Sequence, residues 1–225
     1  MVMLKVSASS NFHYFVSGDK PKILIHCGTH GDEGDVTQYV VKALKKYEKA
    51  LPPFLFIPEV SPTAIDSCLR NNAFGNDMNR KFFSDSLDQE VKINIEVIKD
   101  KKFDLFLSFH EDPHGPDYYL YDVGYRKTEN EIAKKHNQLL KSRGIGLLNG
   151  VDDSEDEDLG FVFEEGYNKM VFQQSDKDDG TISAWVLNRH IAEEYLLPEI
   201  PGKAGSETKE FIVDSFLSEV VLKMF

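Results

Sequence analysis

Apolar residues along this chain fall into short unbroken runs that alternate with stretches of helical spacing. KILIHC, Lys22 to Cys27, reads as a short, fully buried strand stopped by Gly28. From Asp35 to Lys49 the residues Val36, Tyr39, Val40, Ala43, Leu44 and Tyr47 recur at helical spacing and predict an amphipathic helix. Pro52-Pro53 breaks it, and FLFIPEV, Phe54 to Val60, is a second apolar strand. The segment Ser61 to Arg80 is long, polar and without clear periodicity. A helix is expected over Asp85 to Lys102, a strand at Asp104 to Phe109, another at Tyr118 to Tyr121 and a helix at Glu129 to Arg143. Thr181 to Arg189 reads as a short helix, Tyr195 to Ile200 as a strand, and Ser206 to Met224 as a closing helix. In that last element Phe211, Ile212, Phe216, Val220, Val221 and Met224 fall largely on one face.

Strands alternating with helices predict an α/β fold: a mixed, mostly parallel sheet with helices on both faces. The length of 225 residues fits a single domain, 1–225. In such sheets ligands sit beyond the carboxyl ends of the strands. The residues just past the first and third strands are His30 with Glu33, and His110 with Glu111, while Glu199 lies near the end of a late strand. The pattern therefore gathers candidate chemistry on one rim before any motif is considered.

Charge narrows the partners. A net charge of −12 argues against a nucleic-acid binder, because a wide surface of phosphates would go unneutralised. No apolar run approaches bilayer length, and the first ten residues alternate too much for a leader segment, so no membrane partner is expected. Two cysteines, Cys27 and Cys68, are too few for a disulfide scaffold and read as reduced thiols of a cytoplasmic protein. The acidic cluster Asp152 to Asp158 reads as a solvated loop, with cation binding as the lesser alternative; the spacing and glycine of an EF-hand are absent.

The sharpest chemical signal is His30-Gly31-Asp32-Glu33, an HxxE element on a glycine-bounded turn. An imidazole and a carboxylate at this spacing converge on one ion if the backbone between them curls. His110, from a neighbouring strand, supplies a third donor. Two His and one Glu with a fourth position open to water is the pattern of a catalytic zinc, and the expected cofactor is one Zn2+. Such an ion lowers the pKa of its water to about 7 and polarises a carbonyl. Of the other histidines, His13, His26, His136 and His190 are read as structural or surface groups, and His114 and Glu111 as candidate supports of the ligands.

GTHGDEGD (Gly28 to Asp35), RNNAFGNDMNRKF (Arg70 to Phe82) and SFHEDP (Ser108 to Pro113) together resemble the zinc metallocarboxypeptidase superfamily, with its succinylglutamate desuccinylase and aspartoacylase relatives. The resemblance spans Lys22 to Pro113, with a weaker stretch from Gly180 to Gly202. It implies that His30, Glu33 and His110 hold zinc, that Arg70 stabilises an oxyanion, and that Asn79 and Arg80 grip a substrate carboxylate. A guanidinium suits that task, since its fork of donors matches a carboxylate and keeps its charge at any working pH. The resemblance of EYLLPEIPGKAG to a late family strand places the catalytic glutamate at Glu199, with Glu111 as the rival base. The family's mobile-loop tyrosine has no counterpart in the matching place; Tyr167, the nearest earlier tyrosine, is the candidate for it.

The leading expectation is a carboxypeptidase-like hydrolase that cleaves an amide beside a free carboxylate, with a small peptide as substrate. An N-acyl amino acid deacylase would use the same site on a smaller substrate. Desuccinylase-type relatives often carry an added C-terminal domain, and the short helix after Gly202 tips the expectation towards peptides. A binding protein that keeps the fold without turnover is the third reading. The oligomeric state is not legible.

Overall fold

The computed structural model describes residues 3–153, 160–175 and 177–225. Its strands are β1 (Leu4–Ser7), β2 (His13–Val16), β3 (Ile23–His26), β4 (Phe54–Ile57), β5 (Leu105–Ser108), β6 (His110–Asp112), β7 (Tyr119–Gly124), β8 (Gly150–Val151), β9 (Val162–Phe163), β10 (Tyr167–Val171) and β11 (Glu194–Pro201). Its helices are α1 (Val36–Tyr47), α2 (Pro62–Ser67), α3 (Gln89–Ile98), α4 (Glu131–Ser142), α5 (Ile182–Asn188) and α6 (Ser206–Ser215). After α6 the chain stays helical through a π-helical stretch, Phe216–Val221, to a last turn at Leu222–Met224.

A nine-stranded sheet runs in the order β1-β2-β4-β3-β5-β11-β7-β10, with β6 paired to β11. Its centre is parallel: β4, β3, β5 and β11 all run the same way. β7 is antiparallel to β11, and β2 to β4, so the sheet is mixed as well as mostly parallel at its core. A two-stranded ribbon, β8-β9, stands apart from it.

Alternation along the strands sorts the core into two layers. Ile23, Ile25, Phe54, Phe56, Leu105 and Leu107 pack with α1, α4 and α6. Leu24, Leu55, Ile57 and Phe106 pack with α3 and α5. Because both faces are covered, the central strands are apolar at nearly every position, which is why they read as unbroken runs. The helices start where side chains satisfy their free N–H groups. Asp88 accepts from the N–H groups of Glu90 and Val91, so α3 begins at Gln89 rather than at the expected Asp85. Asn130 and Thr181 do the same for α4 and α5.

The sequence pattern missed β1 and β2. Their residues are exposed or half-buried, so no apolar run marks them. It also left Ser61 to Arg80 without elements, whereas the segment contains α2 and a 3-10 turn at Met78–Arg80. Ser154 to Asp158 of the acidic cluster lie outside the described residues. Its first member, Asp152, accepts from the N–H groups of Asp153, Gly160 and Phe161 and from the Tyr121 hydroxyl. No helix among the described residues is long and apolar enough to cross a membrane.

Candidate metal centre

β3 and β5 are adjacent and parallel, so the chain leaves both at one rim of the sheet. Past β3 it turns sharply at Gly28, whose φ of +61° lies in the left-handed region open to glycine. His30 follows, and Gly31–Glu33 forms a 3-10 turn. A Cβ on Gly31 would sit 1.8 Å from the Ala64 carbonyl oxygen, so only glycine lets this turn lie against the end of α2. The Gly31 N–H fixes it there by donating to the Leu69 carbonyl at 2.9 Å. Past β5, His110 opens β6, directly opposite Glu199 of β11.

The fold thereby brings His30, Glu33 and His110 together. All three are buried, and their ligand atoms lie within 4.8 Å of one another. Glu33 joins the two rings: its Oε1 is 2.5 Å from His30 Nδ1 and its Oε2 is 2.9 Å from His110 Nδ1. Both Nδ1 atoms thus face one carboxylate. Two imidazole nitrogens and a carboxylate oxygen at this spacing fit a single borderline-soft divalent cation.

The outer nitrogen of His30 has its own partner, one that the sequence analysis assigned no role. Asp77 Oδ1 lies 3.0 Å from His30 Nε2, and Asp77 Oδ2 accepts from Arg70 Nε at 2.9 Å. A carboxylate on the far nitrogen fixes the ring and its tautomer, a common support for a metal-binding histidine. The signal was present in Asp77-Met78-Asn79-Arg80, where only the last two residues drew attention.

Charges in the centre reinforce one another. Burial pulls the His30 imidazole down, but the Glu33 charge and the hydrogen bonds to Asp77 and Glu33 outweigh it and lift the pKa to about 9. Burial would raise Glu33, yet the charges of His30 and His110 hold it well below the ordinary carboxylate range. Asp77 is held down too, against burial, by His30 and then by Arg70. A cation entering the site therefore competes with a proton on His30.

Arg70 spans the centre's outer edge, with Nη2 2.9 Å from Asp77 and Nη1 3.8 Å from Glu33. Its loop lacks periodicity yet is pinned by a polar network. Asn72 and Asn76 donate to Asp88 at 2.7 and 2.8 Å, and Glu90 accepts from the Ser61 hydroxyl at 2.6 Å and the Thr63 N–H at 2.9 Å. Asn79 and Arg80 sit further along. The Asn79 side-chain carbonyl accepts from the Ile182 N–H at 3.1 Å, tying the turn to α5, and Arg80 Nη1 donates to the Asn79 backbone carbonyl at 3.1 Å.

Glu199 stands between two strand neighbours, His110 on β6 and Tyr119 on β7. The surrounding protein raises its carboxyl well above the ordinary range, and the charges of Glu33 and Asp112 add to this while His30 and Arg70 pull it back. A bound cation would pull it back further. Glu111, the rival base, pairs in register with Ile200, which belongs to the α1 and α6 layer. Its carboxylate is engaged there by Lys209.

Tyr167 does not join the site. It pairs in register with Leu120 of the α4 layer, whereas Tyr119, beside Glu199, belongs to the opposite layer. Its hydroxyl donates to Asp122 at 2.5 Å and accepts from the Asn130 N–H at 2.7 Å. Nearness in the chain does not fix the face of a strand, and β10 carries the ring to the other face. His114 is exposed, His190 stacks on Tyr125, and His26 and His136 are buried in the core.

No protein-family model and no curated protein matches the sequence. Solved structures do match the fold. A candidate metallopeptidase from Shewanella denitrificans superposes with a TM-score of 0.76 at 20% identity, over 98% of this chain and 84% of its own. A metallo-carboxypeptidase from Burkholderia cenocepacia gives 0.65 at 16% identity, over 99% and 64%. A succinylglutamate desuccinylase/aspartoacylase from Rhodobacter sphaeroides gives 0.57 at 18% identity, over 95% and 58%. The chain thus spans about three fifths of the length of the last two. It has the fold that metallo-carboxypeptidases share with desuccinylase/aspartoacylase proteins, as its motifs led us to expect.

Proposed function

We propose that the protein is a zinc-dependent hydrolase that cleaves an amide bond beside a free carboxylate, in the manner of a carboxypeptidase. The observation that carries this reading is the convergence of His30, Glu33 and His110 at one rim, with Glu199 on the strand next to His110. The fold shared with metallo-carboxypeptidases supports it. One zinc ion held by those three side chains would supply Lewis-acid polarisation of a carbonyl and a lowered pKa for water.

The remaining roles belong to side chains of this chain. Asp77 holds the His30 ring so that Nδ1 faces the centre. Glu199 takes a proton from water and hands it to the leaving amine, which its position beside His110 supports. Arg70, spanning Asp77 and Glu33, places fixed positive charge where an oxyanion develops. Asn79 and Arg80 receive the substrate carboxylate, and the Arg80 guanidinium supplies the local positive charge that an acidic protein needs for an anionic substrate.

A second reading is an N-acyl amino acid deacylase, favoured by the fold shared with the desuccinylase/aspartoacylase protein. The two part on substrate size. Turnover of a panel of dipeptides, muropeptide fragments and N-acyl amino acids, with zinc present, decides between them. Hydrolysis of peptides with a free carboxylate is the expected result. Turnover of acylated amino acids alone supports the deacylase, and no turnover of any member overturns both.

A further inference from the structure

Lys209 and Glu111 form an ion pair with side chains only 7% and 6% exposed. Taking two charges out of water is costly, and apolar replacement of a buried pair is often neutral or stabilising. Packing alone therefore does not account for this one.

Its surroundings do. Glu111 follows the ligand His110, and its backbone N–H donates to Oε2 of the ligand Glu33 at 3.4 Å. Lys209 lies in the first turns of α6, which is fastened to α1 by Lys42 to Glu210 at 2.6 Å, Lys46 to Asp214 at 2.7 Å and the Tyr47 hydroxyl to Asp214 at 3.0 Å. Helix α1 in turn begins just after the Glu33 turn. Helix α6 thus reaches the His110 segment through Lys209 and, through its outer face, the later turns of the helix that follows the Glu33 turn. The second oxygen of Glu111 is buried with no hydrogen-bond partner among the described residues, so Lys209 is the tie that sets this carboxylate.

We propose that the Lys209–Glu111 pair is a positioning device for the metal centre: it fixes the peptide N–H of Glu111 against Glu33 and so sets the direction in which Glu33 presents its carboxylate. The inference rests on the metal reading above.

Zinc affinity, measured by competition with a chromophoric chelator, and the thermal midpoint of the metal-free protein separate positioning from packing. The proteins compared are the wild type, Lys209→Arg, Lys209→Met and the double variant Glu111→Leu/Lys209→Met. Lys209→Met should lose at least about tenfold in zinc affinity, and Lys209→Arg should recover most of it. The double variant should melt at or above the wild-type temperature and still bind zinc about tenfold more weakly. If it binds zinc within about twofold of the wild type, the pair only fills space and the proposal fails. Should the double variant not fold, Lys209→Gln decides by the same threshold. A wild type that binds no zinc overturns the metal reading itself, an outcome distinct from equal binding in both proteins.

Discussion

Asp77 Oδ1 lies 3.0 Å from His30 Nε2, across the ring from the Nδ1 that meets Glu33 at 2.5 Å. The imidazole is thus gripped at both nitrogens by carboxylates from segments far apart in the chain. Each end defines the state of the other. A carboxylate at Nε2 fixes that nitrogen as the donor, which leaves Nδ1 to offer its lone pair inward.

Removal of Asp77 should therefore weaken metal binding without unfolding the protein. In Asp77→Ala the zinc affinity should fall about ten- to a hundredfold, read by chelator competition. Unaltered affinity would show that Asp77 does not orient the ring.

Glu199→Gln removes the proposed proton carrier and keeps the shape of the side chain. Zinc should stay bound while kcat falls by about two to four orders of magnitude on a substrate of the panel. Unchanged turnover would move the base away from Glu199.

Arg80→Ala tests the proposed grip on a substrate carboxylate. On a peptide with a free C-terminal carboxylate, kcat/KM should fall by at least about tenfold, the scale of a lost charged hydrogen bond. On the amidated counterpart it should stay nearly constant. Equal losses on both would indicate that Arg80 serves the fold instead.

Two buried histidines make stability sensitive to acid. Burial lowers the pKa of His136 to about 4, with Glu219 opposing, and lowers that of His26 to about 3, with His110 adding to the effect. In the unfolded chain both titrate near 6.5. The unfolded state thus binds more protons below that value, so this stability is complete above pH 6.5 and is lost as pH falls towards the folded pKa values. Each group contributes a slope of up to about 1.4 kcal/mol per pH unit. His30, raised rather than lowered, adds no slope below 6.5. Between pH 6.5 and 5, above the range where ordinary carboxylates protonate, His136→Gln should lose its thermal midpoint less steeply than the wild type. Parallel curves would contradict the assignment.

Much of this was legible in the chain because burial on both faces leaves a plain mark. β3, β4 and β5 are apolar nearly throughout, and the glycines around His30 announce a tight turn. His30, Glu33 and His110 stood out for a related reason: polar residues in the turns that follow buried strands lie at the sheet's rim. Less visible was everything set by long-range pairing. The register that puts Glu199 opposite His110 has no local signal, and β6, written His-Glu-Asp, has none of the composition of a strand. The loop carrying Arg70 is shaped by Asn72, Asp88 and Glu90, whose contacts follow no period. Tyr167 misled for the converse reason, since nearness in sequence says nothing about which face a strand presents.

In the proposed reading the imidazoles of His30 and His110 and the carboxylate of Glu33 hold a catalytic metal. Metal content after zinc re-addition and dialysis, measured side by side for the wild type and His110→Ala, tests it most directly. About one zinc per wild-type chain is expected, and almost none in the variant, with both folded. A folded wild type that retains no zinc, or a variant that retains as much, would contradict it.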